Sequence, residues 1–115
     1  MLFVCYPKCT TCQKAKRFLD DNKVSYEMRD IKIDNPSKKE LIEWHKKSGL
    51  PLKRFFNTSG LQYKALNLSK ELVNMDEDSQ ITLLASDGML VKRPILIGTD
   101  FVLVGFKEEE WLKHI

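Results

Sequence analysis

Leu2-Phe3-Val4-Cys5-Tyr6-Pro7-Lys8-Cys9-Thr10-Thr11-Cys12-Gln13-Lys14-Ala15-Lys16 decides how the rest of this chain is read. The run Leu2 to Tyr6 has no polar face and predicts a strand covered on both sides. Residues 10–22 predict a helix. Cys12, Ala15, Phe18 and Leu19 fall on one stripe at helical spacing, and Lys14, Lys16, Arg17, Asp20 and Asp21 fall mostly outside it. The two cysteines of Cys9-Thr10-Thr11-Cys12 therefore stand where a strand turns into a helix. The first turn of a helix carries unpaired backbone N–H groups and partial positive charge, and a thiolate is stabilised there. The C-x-x-C spacing brings two sulfurs within disulfide reach. Cys9 reads as a nucleophile and Cys12 as its resolving thiol. Half of a zinc site and a pair of idle buried thiols stay open as alternatives. Zinc takes four ligands, and beyond the pair the sequence offers only Cys5, with His45 and His114 on separate segments. No metal and no cofactor is expected.

Length and composition bound the rest. The 115 residues make one domain, 1–115, large enough for a core. A hydrophobic fraction of 43% and a charged fraction of 30% are ordinary for a globular chain. The net charge of +3 is mild and its signs are interspersed, which gives no footprint for direct nucleic-acid binding. No apolar run approaches the ~20 residues that span a bilayer. The first strand yields to Pro7-Lys8 too soon for a signal peptide. A cytoplasmic monomer is expected. In that compartment thiols stay mostly reduced, so a C-x-x-C pair reads as catalytic or redox-sensing. Cys5, inside the first strand, is expected to be buried and inert.

Val24 to Ile31 alternates apolar and polar residues, predicting a second strand with one buried face, parallel to the first. Ser37 and Glu40 form a capping box for a helix running to about Ser48, with Leu41, Ile42 and Trp44 inward and Gly49 as its C-terminal cap. His45 reads as a helix-surface residue. Leu50 to Ser59 predicts a helical turn and a loop, carrying the basic pair Lys53-Arg54 and a core pair Phe55-Phe56. Residues 62–67 and 69–74 predict two short helical pieces. Asp76 caps a further helix with Ile81, Leu84 and Ala85 on its apolar side, ended by Gly88. Ile95 to Ile97 and Phe101 to Val104 predict a hairpin turning at Thr99-Asp100. A last helix, Lys107 to His114, offers Trp111, Leu112 and Ile115 to the sheet.

The order β-α-β, helical block, β-β-α describes an α/β fold: a thioredoxin-like four-stranded mixed sheet with an all-helical insertion. The core is 1–35 and 89–115, and the insertion is 36–88. In the thioredoxin arrangement the third strand follows a cis proline packed against the dithiol, and Pro94 stands at that place.

Tyr6-Pro7-Lys8-Cys9-Thr10-Thr11-Cys12-Gln13-Lys14-Ala15, Arg93-Pro94-Ile95 and Val104-Gly105-Phe106-Lys107-Glu108-Glu109 resemble the arsenate reductase/Spx family. Phe55-Phe56-Asn57-Thr58-Ser59-Gly60 and Leu84-Ala85-Ser86-Asp87-Gly88 extend the resemblance, which is closest to the small Spx/MgsR-type and arsenate-reductase-like proteins of Gram-positive bacteria. The resemblance implies that a cysteine at the Cys9 position attacks arsenate and that a small thiol or protein dithiol completes the cycle; thiolate-exchange chemistry by itself admits a disulfide, a sulfenate or an oxyanion as the target. It implies three oxyanion-binding arginines. Arg93 matches one; the others fall near Asn57 and near Gly105. Cys12 is extra relative to the arsenate reductases and would capture a Cys9 adduct as a disulfide. Thr10, Thr11 and Pro94 would shape the thiolate and substrate site. In Spx-type regulators the same cysteine pair switches binding to the C-terminal domain of the RNA polymerase α subunit, whose key glycine contact falls near Pro51 here.

Overall fold

The computed structural model describes residues 1–115. Strand β1 (Leu2–Cys5) leads into helix α1 (Thr10–Asp21), and β2 (Glu27–Asp30) returns parallel to β1. Helices α2 (Lys38–Ser48), α3 (Leu61–Ala65), α4 (Leu68–Glu71) and α5 (Glu77–Ser86) follow, with 3-10 turns at Leu52–Phe55, Leu72–Asn74 and Gly88–Leu90. The hairpin β3 (Ile95–Ile97) and β4 (Val102–Val104) and helix α6 (Glu108–Leu112) end the chain. The sheet order is β2-β1-β3-β4, with β3 antiparallel to both β1 and β4. No helix is long and apolar enough to cross a membrane.

Successive residues of a strand point to opposite faces, and the two cores sort accordingly. Phe3, Cys5, Leu96 and Leu103 meet Cys12, Ala15 and Leu19 of α1 and Trp111 of α6 on one face. Val4, Ile95, Val102 and Val104 meet the helical block on the other, where Leu41, Trp44, Phe55, Phe56 and Leu84 are buried. The Phe55-Phe56 pair is thus core, as its apolar character predicts. His45 lies half-buried on α2, its ring edge-on to Phe55.

Local chemistry sets the element ends. Ser37 and Glu40 make the reciprocal capping box, and Gly49 takes the left-handed conformation at φ +68°. The Asp76 side chain accepts from the Ser79 N–H at the head of α5.

Four elements differ from the sequence reading. β2 is confined to Glu27–Asp30 because β1 begins at Leu2 and offers no partner further upstream. As an edge strand it leaves Met28 48% exposed, so its alternating pattern does not bury one clean face. Ile42 is 45% exposed, since α2 turns Leu41 and Trp44 to the core instead. α5 ends at Ser86, and Gly88 opens a separate 3-10 turn. α6 stops at Leu112, so Trp111 is buried while Leu112 and Ile115 stay exposed.

Arg29 ties β2 to α2. Its Nη1 and Nη2 donate to Glu40 at 2.6 and 2.8 Å, its Nε donates to the Asp34 carbonyl at 2.9 Å, and its guanidinium lies 5.9 Å from the Trp44 ring. The Arg29 guanidinium, aided by the Ser37 N–H, draws the Glu40 carboxyl from 4.5 down to about 2. The folded value lies below the unfolded one. The pair therefore stabilises the fold above pH 4.5, and that stability fades as pH falls toward 2. Glu40→Gln is expected to cost about 1–2 kcal/mol at neutral pH, after allowance for solvent screening of a one-third exposed carboxylate. Urea unfolding of both proteins from pH 7 to pH 2 checks this. The gap must close at the acid end, and a gap independent of pH would refute it.

Candidate functional site

The strand-to-helix corner holds the two cysteines by backbone hydrogen bonds. The Cys9 N–H donates to the Tyr6 carbonyl at 2.9 Å, and the Gln13 N–H returns to the Cys9 carbonyl at 3.0 Å as the first helical bond. Gln13 Nε2 donates to the Pro7 carbonyl at 3.0 Å and pins the connecting loop. Cys9 is the residue that caps α1, in extended conformation and with no side-chain cap of its own. The N–H groups of the first turn are thus left without intrahelical partners beside it. Cys9 is half-buried, and Cys12, one turn on, is 2% exposed. All three cysteines are free thiols. Burial and the neighbouring Cys5 thiol push the Cys12 thiol strongly up, the latter being the larger cause.

Cys9 opens onto a cleft of about 750 Å³. That size falls in the range of small-molecule sites. Its walls come from four separate stretches. Cys9 and Thr11 belong to the dithiol corner, Arg54, Asn57 and Gln62 to the helical block, Lys92 and Arg93 to the approach to β3, and Gly105 and Lys107 to the end of β4. Arg54, Lys92, Arg93 and Lys107 bring four cations to the lining, and no Asp or Glu lines it. None of the four is in an ion pair, since the ion pairs of the chain join Lys16 to Asp20, Arg29 to Asp34 and Glu40, and Lys38 to Asp78. Unpaired cations around a half-buried thiol make an anion-accepting surface.

Arg93 is held by contacts other than charge. Its guanidinium sits 5.2 Å from the Tyr6 ring centroid, and Nη1 is 3.5 Å from the Met89 carbonyl. Its Nε is buried with no hydrogen-bond partner. A guanidinium that lines the cleft and has no carboxylate partner is available to a bound anion. The Arg93-Pro94 peptide is cis, as the fold arrangement predicts. Pro94 is buried and does not line the cleft; its carbonyl accepts from the Gly105 N–H at 2.8 Å. Thr11 lines the cleft, and Thr10 is exposed outside it.

The hydrogen bonds that fasten the helical-block wall to the Arg93 segment are all main-chain, over a core in which Phe55, Phe56, Leu90 and Val91 pack together. The Asn57 N–H donates to the Leu90 carbonyl and the Lys92 N–H to the Phe55 carbonyl, both at 2.8 Å, and Phe56 bridges Val91. Asn57 and Gly105, near which the family resemblance implies arginines, both line the cleft. Gly105 has φ +78°, a conformation that strains any residue with a Cβ. Arg54 and Lys107 line the same cleft within three residues of those two positions. Sequence reasoning missed them. Lys53-Arg54 was visible as a basic pair, but which of the two turns inward depends on the 3-10 geometry of Leu52–Phe55. No group of three or more His, Cys, Asp or Glu side chains is arranged to hold a metal ion.

Comparison with known proteins follows the same lines. Residues 5–114 match the ArsC family. The chain is 50% identical to the uncharacterized protein YusI of Bacillus subtilis over 111 residues, covering 96% of this chain and 94% of that one. It is 27% identical to the regulatory protein MgsR of the same organism, covering 98% and 88%. Among solved structures, a possible arsenate reductase from Streptococcus mutans superposes with TM-score 0.89 at 44% identity, covering 97% and 96%.

Proposed function

Because the chain belongs to the ArsC family, we propose that it is a thiol–disulfide redox protein acting on a small anionic substrate, with Cys9 as nucleophile and Cys12 as resolving thiol. One observation carries the reading: Cys9 opens, at the head of α1, into the cleft that Arg93 and three further unpaired cations line. The Cys9 thiolate attacks a substrate disulfide, one half leaves as a thiolate, and Cys9 carries the other half. Cys12, directly behind, attacks the Cys9 sulfur, releases the second half and closes the Cys9–Cys12 disulfide. A small thiol or a protein dithiol then reduces that disulfide. Arg93 draws the anion in and stabilises the departing thiolate. Thr11 shapes the cleft wall, and Pro94, buried behind it, anchors Gly105 through its carbonyl.

Efficient arsenate reduction is a narrower claim. Two of the three arginines that the family resemblance implies, expected near Asn57 and near Gly105, have no arginine at those two residues here. A multiply charged oxyanion would have to use Arg54 and Lys107 in their stead. Disulfide exchange needs only one well-placed cation and is the better fit.

The test is turnover of a carboxylate-bearing small disulfide with a thiol reductant, beside a neutral disulfide of equal size. Arg93→Met is expected to lower kcat/KM for the anionic substrate about 10- to 100-fold, the range for losing one charge-assisted hydrogen bond, and to change the neutral one less than threefold. Equal loss on both would remove Arg93 from substrate binding. Absence of turnover on both substrates with the wild-type chain would leave the enzyme reading without support.

The resemblance to MgsR supports a second reading, a redox-switched regulator. There the same pair, once oxidised, changes the surface that meets the C-terminal domain of the RNA polymerase α subunit. Affinity for that domain, measured with reduced and with oxidised chain, separates the two. The switch requires a difference between them.

A further inference from the structure

We propose that Cys5 is a third redox thiol, which exchanges with the Cys9–Cys12 disulfide to leave Cys5 bridged to Cys12 and Cys9 free. The proposal rests on the reading of Cys9 and Cys12 as a thiol–disulfide pair and adds a step to it.

Cys5 is the last residue of β1 and is 2% exposed, as is Cys12. A buried strand cysteine usually serves as a small hydrophobe. This one faces another thiol. Cys5 and Cys12 share one apolar cluster, with Phe3, Ala15 and Leu96 around them and Cys9 packed at its edge. The Cys12 sulfur accepts the N–H of Tyr6, the residue next to Cys5, at 3.3 Å. That bond holds Cys12 against the end of β1. The Cys12 thiol is thus packed in one cluster with the Cys5 thiol, and the Cys9 thiol packs against that cluster. Cys12 is therefore the common neighbour, able to bond with either.

Once Cys9 and Cys12 are bridged, Cys5 is the one thiol left in the buried cluster and is therefore the attacker. In the reduced chain the Cys12 thiol pulls the Cys5 thiol down, and the Cys5 thiol and burial push Cys12 up. In the exchange, the Cys5 thiolate attacks the Cys12 sulfur. The Cys5–Cys12 bond forms, the Cys9–Cys12 bond breaks, and the electron pair leaves on Cys9 as a thiolate. The proton from Cys5 passes to solvent. One disulfide replaces another, so no further oxidant or reductant is consumed. The leaving sulfur departs into a cleft lined by four cations and no carboxylate.

The exchange moves the oxidised bond from the cleft into the core and leaves the cleft with a working nucleophile. An oxidised chain would then accept a second substrate or form a mixed disulfide with a partner through Cys9.

Trypsin makes the test direct. Cleavage after Lys8 and Lys14 puts Cys5 on residues 1–8 and both Cys9 and Cys12 on residues 9–14. The wild-type chain is oxidised with one equivalent of hydroxyethyl disulfide, quenched in acid, alkylated under denaturing conditions and digested. The proposal expects peptides 1–8 and 9–14 joined through Cys12, with Cys9 alkylated. Oxidation confined within 9–14, with Cys5 alkylated in full, overturns the proposal and leaves the parent reading intact. Absence of any disulfide overturns both. In a second arm, Cys9 of the oxidised native chain is labelled with iodoacetamide. Cys5→Ala is expected to lower that labelling at least tenfold without slowing the first mixed disulfide at Cys9. Unchanged labelling would also overturn the proposal. The wild-type mapping stands if the variant proves unstable.

Discussion

Cys9→Ser is expected to reduce kcat/KM for a small disulfide by on the order of a thousandfold or more, while leaving the fold in place. A serine hydroxyl at the head of α1 lacks a thiolate's nucleophilicity and cannot form an S–S bond. Cys9 is half-buried at the mouth of the cleft, and its replacement opens no void in either core. The stability change should stay within about 0.5–1 kcal/mol. Cys12→Ser provides the contrast. It keeps the nucleophile and loses the resolving thiol, so a Cys9 mixed disulfide should accumulate to one per chain, visible as a mass increase of one substrate half. A Cys9→Ser protein that still turns over would assign the chemistry elsewhere. A Cys12→Ser protein that accumulates no adduct would show that Cys12 does not resolve Cys9.

Gly88→Ala is expected to be the most damaging conservative substitution in the chain. A Cβ at Gly88 would lie 1.8 Å from the Ile31 carbonyl oxygen and 2.8 Å from its carbon. The obstacle is main chain and cannot rotate away. Ile31 is fully buried, and its N–H donates to the Cys5 carbonyl at 2.8 Å at the end of β1. Relief therefore requires moving the turn at Gly88–Leu90 away from the sheet. The cost should be about 3 kcal/mol, a fall in melting temperature on the order of 10 °C. Thermal unfolding followed by circular dichroism checks this, with Gly49→Ala alongside. Gly49 has a left-handed φ but open space around it, so alanine there should cost only about 1 kcal/mol. Similar losses at the two sites would mean that the close approach at Ile31 is not what makes Gly88 necessary.

Much of the architecture is written in local patterns. The apolar run before Pro7, the stripe through Cys12, Ala15 and Leu19, the Ser37–Glu40 box and the Asp76 cap each act over a few residues. Local chemistry of that kind can be read without knowing the fold. Features that depend on partners were not legible in this way. β2 is short because β1 gives it nothing to pair with beyond Leu2, and the exposure of Met28 follows from its edge position. The dithiol belongs to the legible part, since its meaning lies in spacing and in the helix that follows. The cation lining does not, because Arg54, Arg93 and Lys107 are far apart in sequence and meet only once the helical block packs on the sheet. Cys5 lies between the two cases. Its burial follows from the strand, whereas its place in one buried cluster with Cys12 requires the register of α1 against β1.

The wall that carries Arg54 and Asn57 is hydrogen-bonded to the approach to β3 through backbone groups, from Phe55, Phe56 and Asn57 on one side and Leu90, Val91 and Lys92 on the other, and Phe55, Phe56, Leu90 and Val91 pack beneath it. Such a joint does not depend on which side chains project from the wall into the cleft. The cleft-facing residues, Arg54 and Asn57 among them, can be rewritten while the frame keeps its place. The address label of this molecule is thus printed on an interchangeable plate, and the thiols behind it need no redesign when the label changes.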